Sequence, residues 1–222
     1  MAKFAFHNAG IEKLFNDYIE KGYWQGSIID YWERNAELFP EKVAFKDSKR
    51  TLTWSQVKLL SDRLALALLN LGLKRDDVLA VQLPWCIEFC LLRGAHEKAG
   101  LIQMELAPTL RHQELREHLT TTEARAIVVP WKYRNFDYYQ MVEEIRNDLP
   151  SLAYVIIVGD LPSESVISFD RLLLEPVEKN CQDLPLSQLR TTPFELDTLR
   201  HTTGTTGVSK LVQSNTAALE WA

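Results

Sequence analysis

The stretch Val78-Leu79-Ala80-Val81-Gln82-Leu83-Pro84, followed by Trp85 through Lys98 and then Leu101-Ile102-Gln103-Met104-Glu105-Leu106, decides the fold. The first run is short, apolar and closed by proline, the pattern of a strand buried on both faces. Trp85–Lys98 has the length of a helix, and Leu101–Leu106 reads as a second buried strand. Downstream the rhythm continues, with a helix over Leu110–Thr121, a strand over Arg125–Val129, a helix over Phe136–Asp148 and a strand over Ala153–Val158. Strands alternating with helices imply an α/β fold, a largely parallel sheet flanked by helices. The apolar stripes of such helices face the sheet, so they are packing rather than function.

Upstream, Ile11, Leu14, Phe15, Tyr18 and Ile19 line one face of a first helix. Ile28, Ile29, Trp32 and Leu38 suggest a second, which Pro40 stops. Val43–Lys46 and Thr51–Trp54, with a polar turn at Asp47–Lys49, read as a short β-hairpin. Thr53 and Gln56 form a capping-box pattern. The helix they begin carries Val57, Leu60, Leu64, Leu68 and Leu71, and Gly72 supplies its stop. Past Glu175 the pattern dissolves into Pro, Asn, Gln and Ser until a last strand, Leu196–His201. The expected organisation is N-terminal helices over 1–40, an α/β unit over 41–175, a connection over 176–195 and the start of a following unit over 196–222.

Composition bounds the function classes. The 222 residues are 46% hydrophobic and 25% charged, enough for a packed core. A net charge of −5 gives no general attraction to nucleic acid or to anionic membrane. No run of apolar residues is long enough to span a bilayer. Cys86, Cys90 and Cys181 are too few and too irregular for a disulfide framework, which fits a reducing cytoplasm. Cys86 and Cys90 stand four apart on a helix, but no second Cys/His pair accompanies them, so buried thiols are favoured over a metal site.

One segment carries chemistry: Thr202-Thr203-Gly204-Thr205-Thr206-Gly207-Val208-Ser209-Lys210. Glycine lets a backbone turn and approach a ligand closely, successive N–H groups form an anion-binding concavity, and Lys210 adds a point charge suited to a phosphate oxygen. Residue types alone leave two readings open, a phosphate cradle or a Thr/Gly-rich hairpin. The spacing differs from the Walker A loop, which needs four residues between its glycines and lysine directly after the second.

Leu199-x-x-Thr202-Thr203-Gly204-Thr205-Thr206-Gly207-x-Ser209-Lys210 resembles the AMP-binding signature of the acyl-adenylate-forming superfamily, which holds acyl- and aryl-CoA ligases, aryl-acid AMP ligases, peptide-synthetase adenylation domains and luciferases. Two upstream segments agree in order. Leu52-Thr53-Trp54-Ser55-Gln56-Val57 is similar to the family's first motif, and Lys98-Ala99-Gly100 through Ala107-Pro108 is similar to its second. Together they cover about residues 20–216. Gly22-Tyr23-Trp24 ahead of a helix most resembles aryl-acid-activating members such as 2,3-dihydroxybenzoate-AMP ligases.

The resemblance implies an enzyme that joins a small carboxylic acid to ATP with Mg²⁺, forming acyl-AMP and pyrophosphate. The acyl group then passes to the thiol of CoA or of phosphopantetheine on a carrier protein. A carboxylate is a poor electrophile, and AMP makes its oxygen a competent leaving group, so the protein's task is to align anions and neutralise charge. The resemblance assigns phosphate contacts to Thr202, Thr203, Gly204, Thr205, Thr206, Gly207, Ser209 and Lys210, with a Thr205 or Thr206 hydroxyl near the Mg²⁺ of Mg-ATP. Many relatives carry a histidine where this chain has Thr216, and a proline where it has Ser209. Thr216 is therefore a substrate-proximal candidate, and so is His201, which directly precedes the loop, although strand-end packing is its favoured role.

The later elements of such ligases (nucleotide pockets, an acidic Mg²⁺ ligand and a catalytic lysine) lie beyond residue 222. The 222-residue chain is thus expected to be catalytically incomplete, to expose surface that invites self-association, and to find no role with nucleic acid or membrane. The rival reading is a truncated homologue that acts only as a nucleotide-binding or interaction module. His96, His112 and His118 read as surface or satisfied residues, and Lys13, Lys21, Arg111 and Arg116 as solvated helix faces.

Overall fold

The computed structural model describes residues 9–23, 26–177, 186–202 and 210–216. Helices α1 (Ala9–Glu20) and α2 (Ile28–Leu38) precede a hairpin of β1 (Val43–Lys46) and β2 (Thr51–Thr53). There follow α3 (Trp54–Leu71), β3 (Val78–Val81), α4 (Ile87–Ala99), β4 (Ile102–Glu105), α5 (His112–Thr122) and β5 (Ala126–Pro130). Next come the strand pair β6 (Lys132–Tyr133) and β7 (Phe136–Asp137), helix α6 (Tyr138–Ile145) and strand β8 (Tyr154–Val158). The described chain ends with β9 (Ile167–Ser168), α7 (Phe169–Leu174), α8 (Leu186–Leu189), β10 (Leu196–His201) and β11 (Leu211–Asn215).

Seven strands form one sheet in the order β11-β10-β4-β3-β5-β8-β9. Every pairing is parallel except β10 with β11. All residues of β3 and β5 are buried, as strands covered on both faces must be. On one face Leu115 and Leu119 of α5 and Met141, Val142 and Ile145 of α6 pack against Ile102, Met104, Ile127 and Val129. On the other, α3, α4 and α7 cover Leu79, Val81, Val128 and Ile156. Burial of apolar area at roughly 25 cal/mol per Å² is the main stabilising term in both layers.

Helix α3 follows its sequence pattern closely. The Thr53 hydroxyl accepts from the Gln56 N–H, and the Gln56 carboxamide oxygen accepts from the Thr53 N–H at 2.9 Å. Gly72 ends the helix at φ 114°, and a Cβ there would lie 2.6 Å from the Tyr154 hydroxyl, so only glycine fits.

Two expectations are revised. Trp85 does not join α4, which begins at Ile87 with Cys86 as its N-cap. Phe136 does not begin α6; it pairs with Tyr133 across a turn in which Arg134 and Asn135 both hold positive φ. Asp137 then caps α6 by accepting from the Gln140 N–H at 2.9 Å. The segment from residue 196 supplies β10, parallel to β4, and β11, antiparallel to β10. Among the described residues no helix is long and apolar enough to cross a membrane.

Candidate functional site

In an open parallel sheet the ligand-binding crevice lies beyond the carboxyl ends of the strands, where successive connections leave on opposite faces. Here α4 leaves β3 toward one face, while α5 and α6 leave β4 and β5 toward the other. The connections after β3, β4, β5, β8 and β10 therefore leave from one edge, and Thr202 and Lys210, which flank the loop, stand there.

The base of that loop is fixed. His201 pairs with Leu211 as the last register of the β10–β11 hairpin. Beyond it the Thr202 N–H donates to the Lys210 carbonyl at 2.9 Å, and the Lys210 N–H donates to the Thr202 hydroxyl at 3.0 Å. Thr202 and Lys210 thus face one another at the mouth of the loop, both exposed. Thr203, Gly204, Thr205, Thr206, Gly207 and Ser209 lie outside the described residues.

The neighbouring β4–α5 connection is braced from three sides. The Gln82 carboxamide donates to the Ala107 and Leu110 carbonyls at 3.1 Å each. The Tyr138 hydroxyl donates to the Pro108 carbonyl at 2.8 Å. Arg111 donates to the Pro108 and Leu110 carbonyls while its guanidinium lies 4.0 Å from the centre of the Phe136 ring. Arg111 is exposed, as expected of a solvated face, yet it is also a brace.

A cavity of about 470 Å³ opens on the same edge between the β1–β2 turn and the connections after β3, β5 and β8. Trp85, Trp131 and Tyr133 line it together with Lys49, Lys132 and Asp160. Trp85 is 87% exposed, and its ring lies 4.8 Å from that of Phe89. Asp47, in the turn, accepts from the Lys49 and Arg50 N–H groups and, at 3.4 Å, from the Ile87 N–H at the start of α4. The Arg50 N–H above all holds its carboxyl below the usual range. Cys86 also lines the cavity, but burial pushes its thiol up to about 12, so it stays a protonated packing group. Cys90 is likewise raised by burial. Among the described residues no group of three or more His, Cys, Asp or Glu converges on a common point.

The structure does not bring Thr216 to this edge. It follows Asn215, which pairs with Leu196 at the start of β10, about 17 Å from the loop base at ordinary strand rise. Its buried hydroxyl has no hydrogen-bond partner among the described residues. His201 does reach the site: it faces the α5 side, its ring 5.1 Å from that of His118, and the Ala107 N–H donates to its Nε2 at 3.4 Å. His118 was not singled out by spacing, because its partner lies on a strand far along the chain. His112 is half-buried and pairs with Glu144 at 2.6 Å.

The opposite, amino-terminal edge holds a buried ionic cluster. Asp197 lies 2.9 Å from Nε2 of His96 and 3.0 Å from Arg93. Glu97 pairs with Arg190 at 3.1 Å and accepts from the Ser27 hydroxyl. Asp197 is the extra residue of a bulge between Leu196 and Thr198, so Leu196 and Leu199 both reach the same core layer.

The AMP-binding enzyme family model matches residues 32–222. The chain is 31% identical over 200 residues to the 2-hydroxy-7-methoxy-5-methyl-1-naphthoate–CoA ligase of Streptomyces carzinostaticus, covering 88% of this chain and 36% of that protein. It is 27% identical over 202 residues to the 2,3-dihydroxybenzoate-AMP ligase of Bacillus subtilis, covering 90% of this chain and 35% of that protein. The apo structure of MbtA from Mycobacterium smegmatis shares the fold, with a TM-score of 0.74 at 24% identity over 89% of this chain and 35% of that one. The chain thus spans about a third of the length of these relatives. Through its matched residues and its shared sheet, the chain belongs to the AMP-binding enzyme family.

Proposed function

We propose that this chain is the N-terminal part of an ATP-dependent carboxylate-adenylating ligase and that residues 202–210 hold the phosphates of the nucleotide. The observation that carries this reading is the position of the loop base, with Thr202 and Lys210 clamped face to face at the carboxyl edge of β10 within the matched family segment. The residues fit a phosphate group. Lys210 is exposed at the loop mouth and forms no ion pair among the described residues, so its ammonium is available to an anion.

Thr202 and Lys210 would orient the loop, its backbone N–H groups would take phosphate oxygens, and a Thr205 or Thr206 hydroxyl would stand near the Mg²⁺ of Mg-ATP. Mg²⁺ carried in with the nucleotide would supply charge neutralisation for the leaving pyrophosphate. Held in line, the carboxylate oxygen attacks the α-phosphorus and the bond to the β-phosphate oxygen breaks, giving acyl-AMP and pyrophosphate. Transfer to CoA or to carrier-bound phosphopantetheine would complete the reaction of the whole ligase. Aromatic acids are the first substrate class to screen, because the relatives named above carry naphthoate and dihydroxybenzoate in their names; a medium-chain fatty-acid–CoA ligase of Escherichia coli, 28% identical, makes alkanoic acids the second.

Titrating the protein with Mg-ATP, and with Mg-ATP after Lys210→Ala, tests the phosphate reading. Saturable binding that weakens about tenfold in the variant is expected, the size of one charge-assisted contact. Binding indifferent to Lys210, or no binding, sinks it. Acid-dependent exchange of pyrophosphate into ATP by the product of the complete reading frame tests the ligase reading. The rival module without chemistry predicts binding but no exchange.

A further inference from the structure

Along β4-β3-β5-β8 all pairings are parallel, and the strand that comes first in the chain lies second in the row. In a doubly wound sheet of this order the ligand crevice opens between the first and third strands, because their connections leave to opposite faces. Here those strands are β3 and β5: α4 follows β3 onto one face and α6 follows β5 onto the other. The cavity of about 470 Å³ sits over that junction, walled by residues 83–86 after β3, 130–133 after β5 and 158–160 after β8. Its volume falls in the range of about 300–1,000 Å³ usual for small-molecule pockets. Strand β5 lies three strand spacings, roughly 14 Å, from β10, so the cavity is separate from the base of the 202–210 loop.

A nucleotide at such a junction sets its phosphate on the amino end of the helix that follows the first strand, where N–H groups and the helix dipole favour an anion. In this chain that place is filled. The Asp47 carboxylate accepts from the Ile87 N–H at 3.4 Å, and Glu88 stands in the first turn of α4. A phosphate there would meet two carboxylates, so the junction disfavours nucleotides.

The walls favour a flat ring instead. Trp131 is held in place by its indole N–H, which donates to Asp137 at 3.2 Å, and Tyr133 adds a second ring on the same side. Across from them Trp85 leaves 87% of its surface in water, a large apolar area that a bound ring would cover. Most charges at the cavity are committed: Glu88 to Arg50 at 2.6 Å, and Lys132 to the Trp131 ring, its ammonium 4.6 Å from the ring centre. Lys49, in the β1–β2 turn, and Asp160, after β8, form no ion pair among the described residues. An aromatic acid matches this set. Its ring takes the indole faces, its carboxylate meets the Lys49 ammonium, and a ring hydroxyl can donate to Asp160.

We propose that the junction of β3 and β5 is a binding site for a one- or two-ring aromatic carboxylate, distinct from the 202–210 loop. The site stands on its own cavity and does not depend on the phosphate reading above.

Indole ¹H–¹⁵N spectra test it, with the Trp85 and Trp131 signals assigned from Trp85→Phe and Trp131→Phe. The probes are 2-naphthoate, 6-hydroxy-2-naphthoate, the neutral 2-naphthylmethanol and AMP. Both naphthoates should shift the two indoles saturably, the hydroxylated one with the higher affinity. Lys49→Met removes an exposed side chain and should weaken naphthoate binding about tenfold, the size of one charge-assisted contact. The same variant should leave the neutral alcohol unaffected. Asp160→Ala should erase the advantage of the ring hydroxyl, and Trp85→Ala should weaken every aromatic probe. AMP should move neither indole.

Absence of saturable shifts with the naphthoates overturns the proposal. So does equal affinity for acid and alcohol that ignores Lys49→Met, which would mark a non-specific apolar patch. Shifts produced by AMP at both indoles would make the junction a nucleotide site and overturn it as well. Lys210→Ala should bind naphthoate as the wild type does, so failure of the phosphate reading and failure of this site are told apart.

Discussion

The two edges of the central sheet use charged residues in opposite ways. At the amino edge Arg93, His96, Glu97, Arg190 and Asp197 are packed into one partly or wholly buried lattice that pins the segment after α8 onto α2 and α4. Thr191 adds a backbone bond to the Glu97 carbonyl at 3.0 Å, and Gly100 lets the Leu189 carbonyl approach where a Cβ would collide with it. At the carboxyl edge Lys49, Lys132, Asp160 and Lys210 stand around a cavity and a loop mouth. Charges buried against one another hold the fold; charges facing water, as these do, are available to a ligand. Chemistry is therefore expected at the carboxyl edge, because His96, Glu97 and Asp197 of the amino-edge lattice are closed to solvent, even though Glu97 Oε2 has no hydrogen-bond partner among the described residues.

The largest expected effect tests the amino edge. Asp197→Ala leaves Arg93 and His96 buried without their carboxylate and should cost on the order of 3–5 kcal/mol by urea denaturation. Nucleotide affinity of the folded fraction should be unchanged; a selective loss of affinity would break the contrast between the edges. The same lattice gives stability two pH windows. Burial works to raise the Asp197 carboxyl, but His96 and Arg93 outweigh it and hold it below its usual 3.8. Its contribution is thus full above 3.8 and is lost as pH falls below it. Burial pushes Glu97 above its usual 4.5, so stability declines as pH rises from 4.5 through the raised value. Asp197→Asn should remove the acid-side loss and Glu97→Gln the decline above 4.5. Midpoints that keep both slopes in both variants would refute the assignment.

At the carboxyl edge the expected effects fall on binding rather than stability. Thr202→Ala should weaken Mg-ATP binding while shifting the unfolding free energy by less than about 1 kcal/mol, since only an exposed contact is lost. A variant that unfolds instead would make the loop base a structural element like the opposite edge.

Smaller still is the expected reactivity of Cys86. Its place at the N-cap of a helix that begins in the cavity suggests an activated thiol, yet burial raises it to about 12. Alkylation by iodoacetamide at neutral pH should therefore be much slower than that of an exposed model thiol. Rapid labelling of Cys86, located by mass spectrometry, would place a reactive group in the cavity.

The smallest effect concerns Gln103, which sits beneath α4 between Leu79 and Thr198, fully buried, with neither amide atom paired among the described residues. Gln103→Leu should stabilise the fold by about 1 kcal/mol, because the desolvated amide has nothing to lose. A destabilised variant would show that the amide serves the sheet.

Much of this was legible in the chain itself. The Thr53 and Gln56 caps, Gly72 and the leucine spacing define α3 locally, and the uninterrupted apolar runs mark β3 and β5 as strands covered on both faces. The glycine- and threonine-rich segment after β10 is a short-range pattern, so the proposal of a phosphate loop could be made from residue order. The hairpin at Lys132–Asp137 could not, because its turn places Arg134 and Asn135 where Asn-Gly is the expected signal. Residues with helical spacing then pointed to an earlier start for α6.

Residue order was enough for the long helices and for the two-sided burial of β3 and β5, because caps, periodicity and apolar runs act over a few residues. Tertiary structure alone decided that β10 lies beside β4, that Asp197 meets His96 across 101 positions of chain, and that the Ala107 N–H meets His201. Those pairings depend on strand order and on a bulge, and neither leaves a local trace, since each is fixed by which surfaces bury best once the whole sheet has assembled.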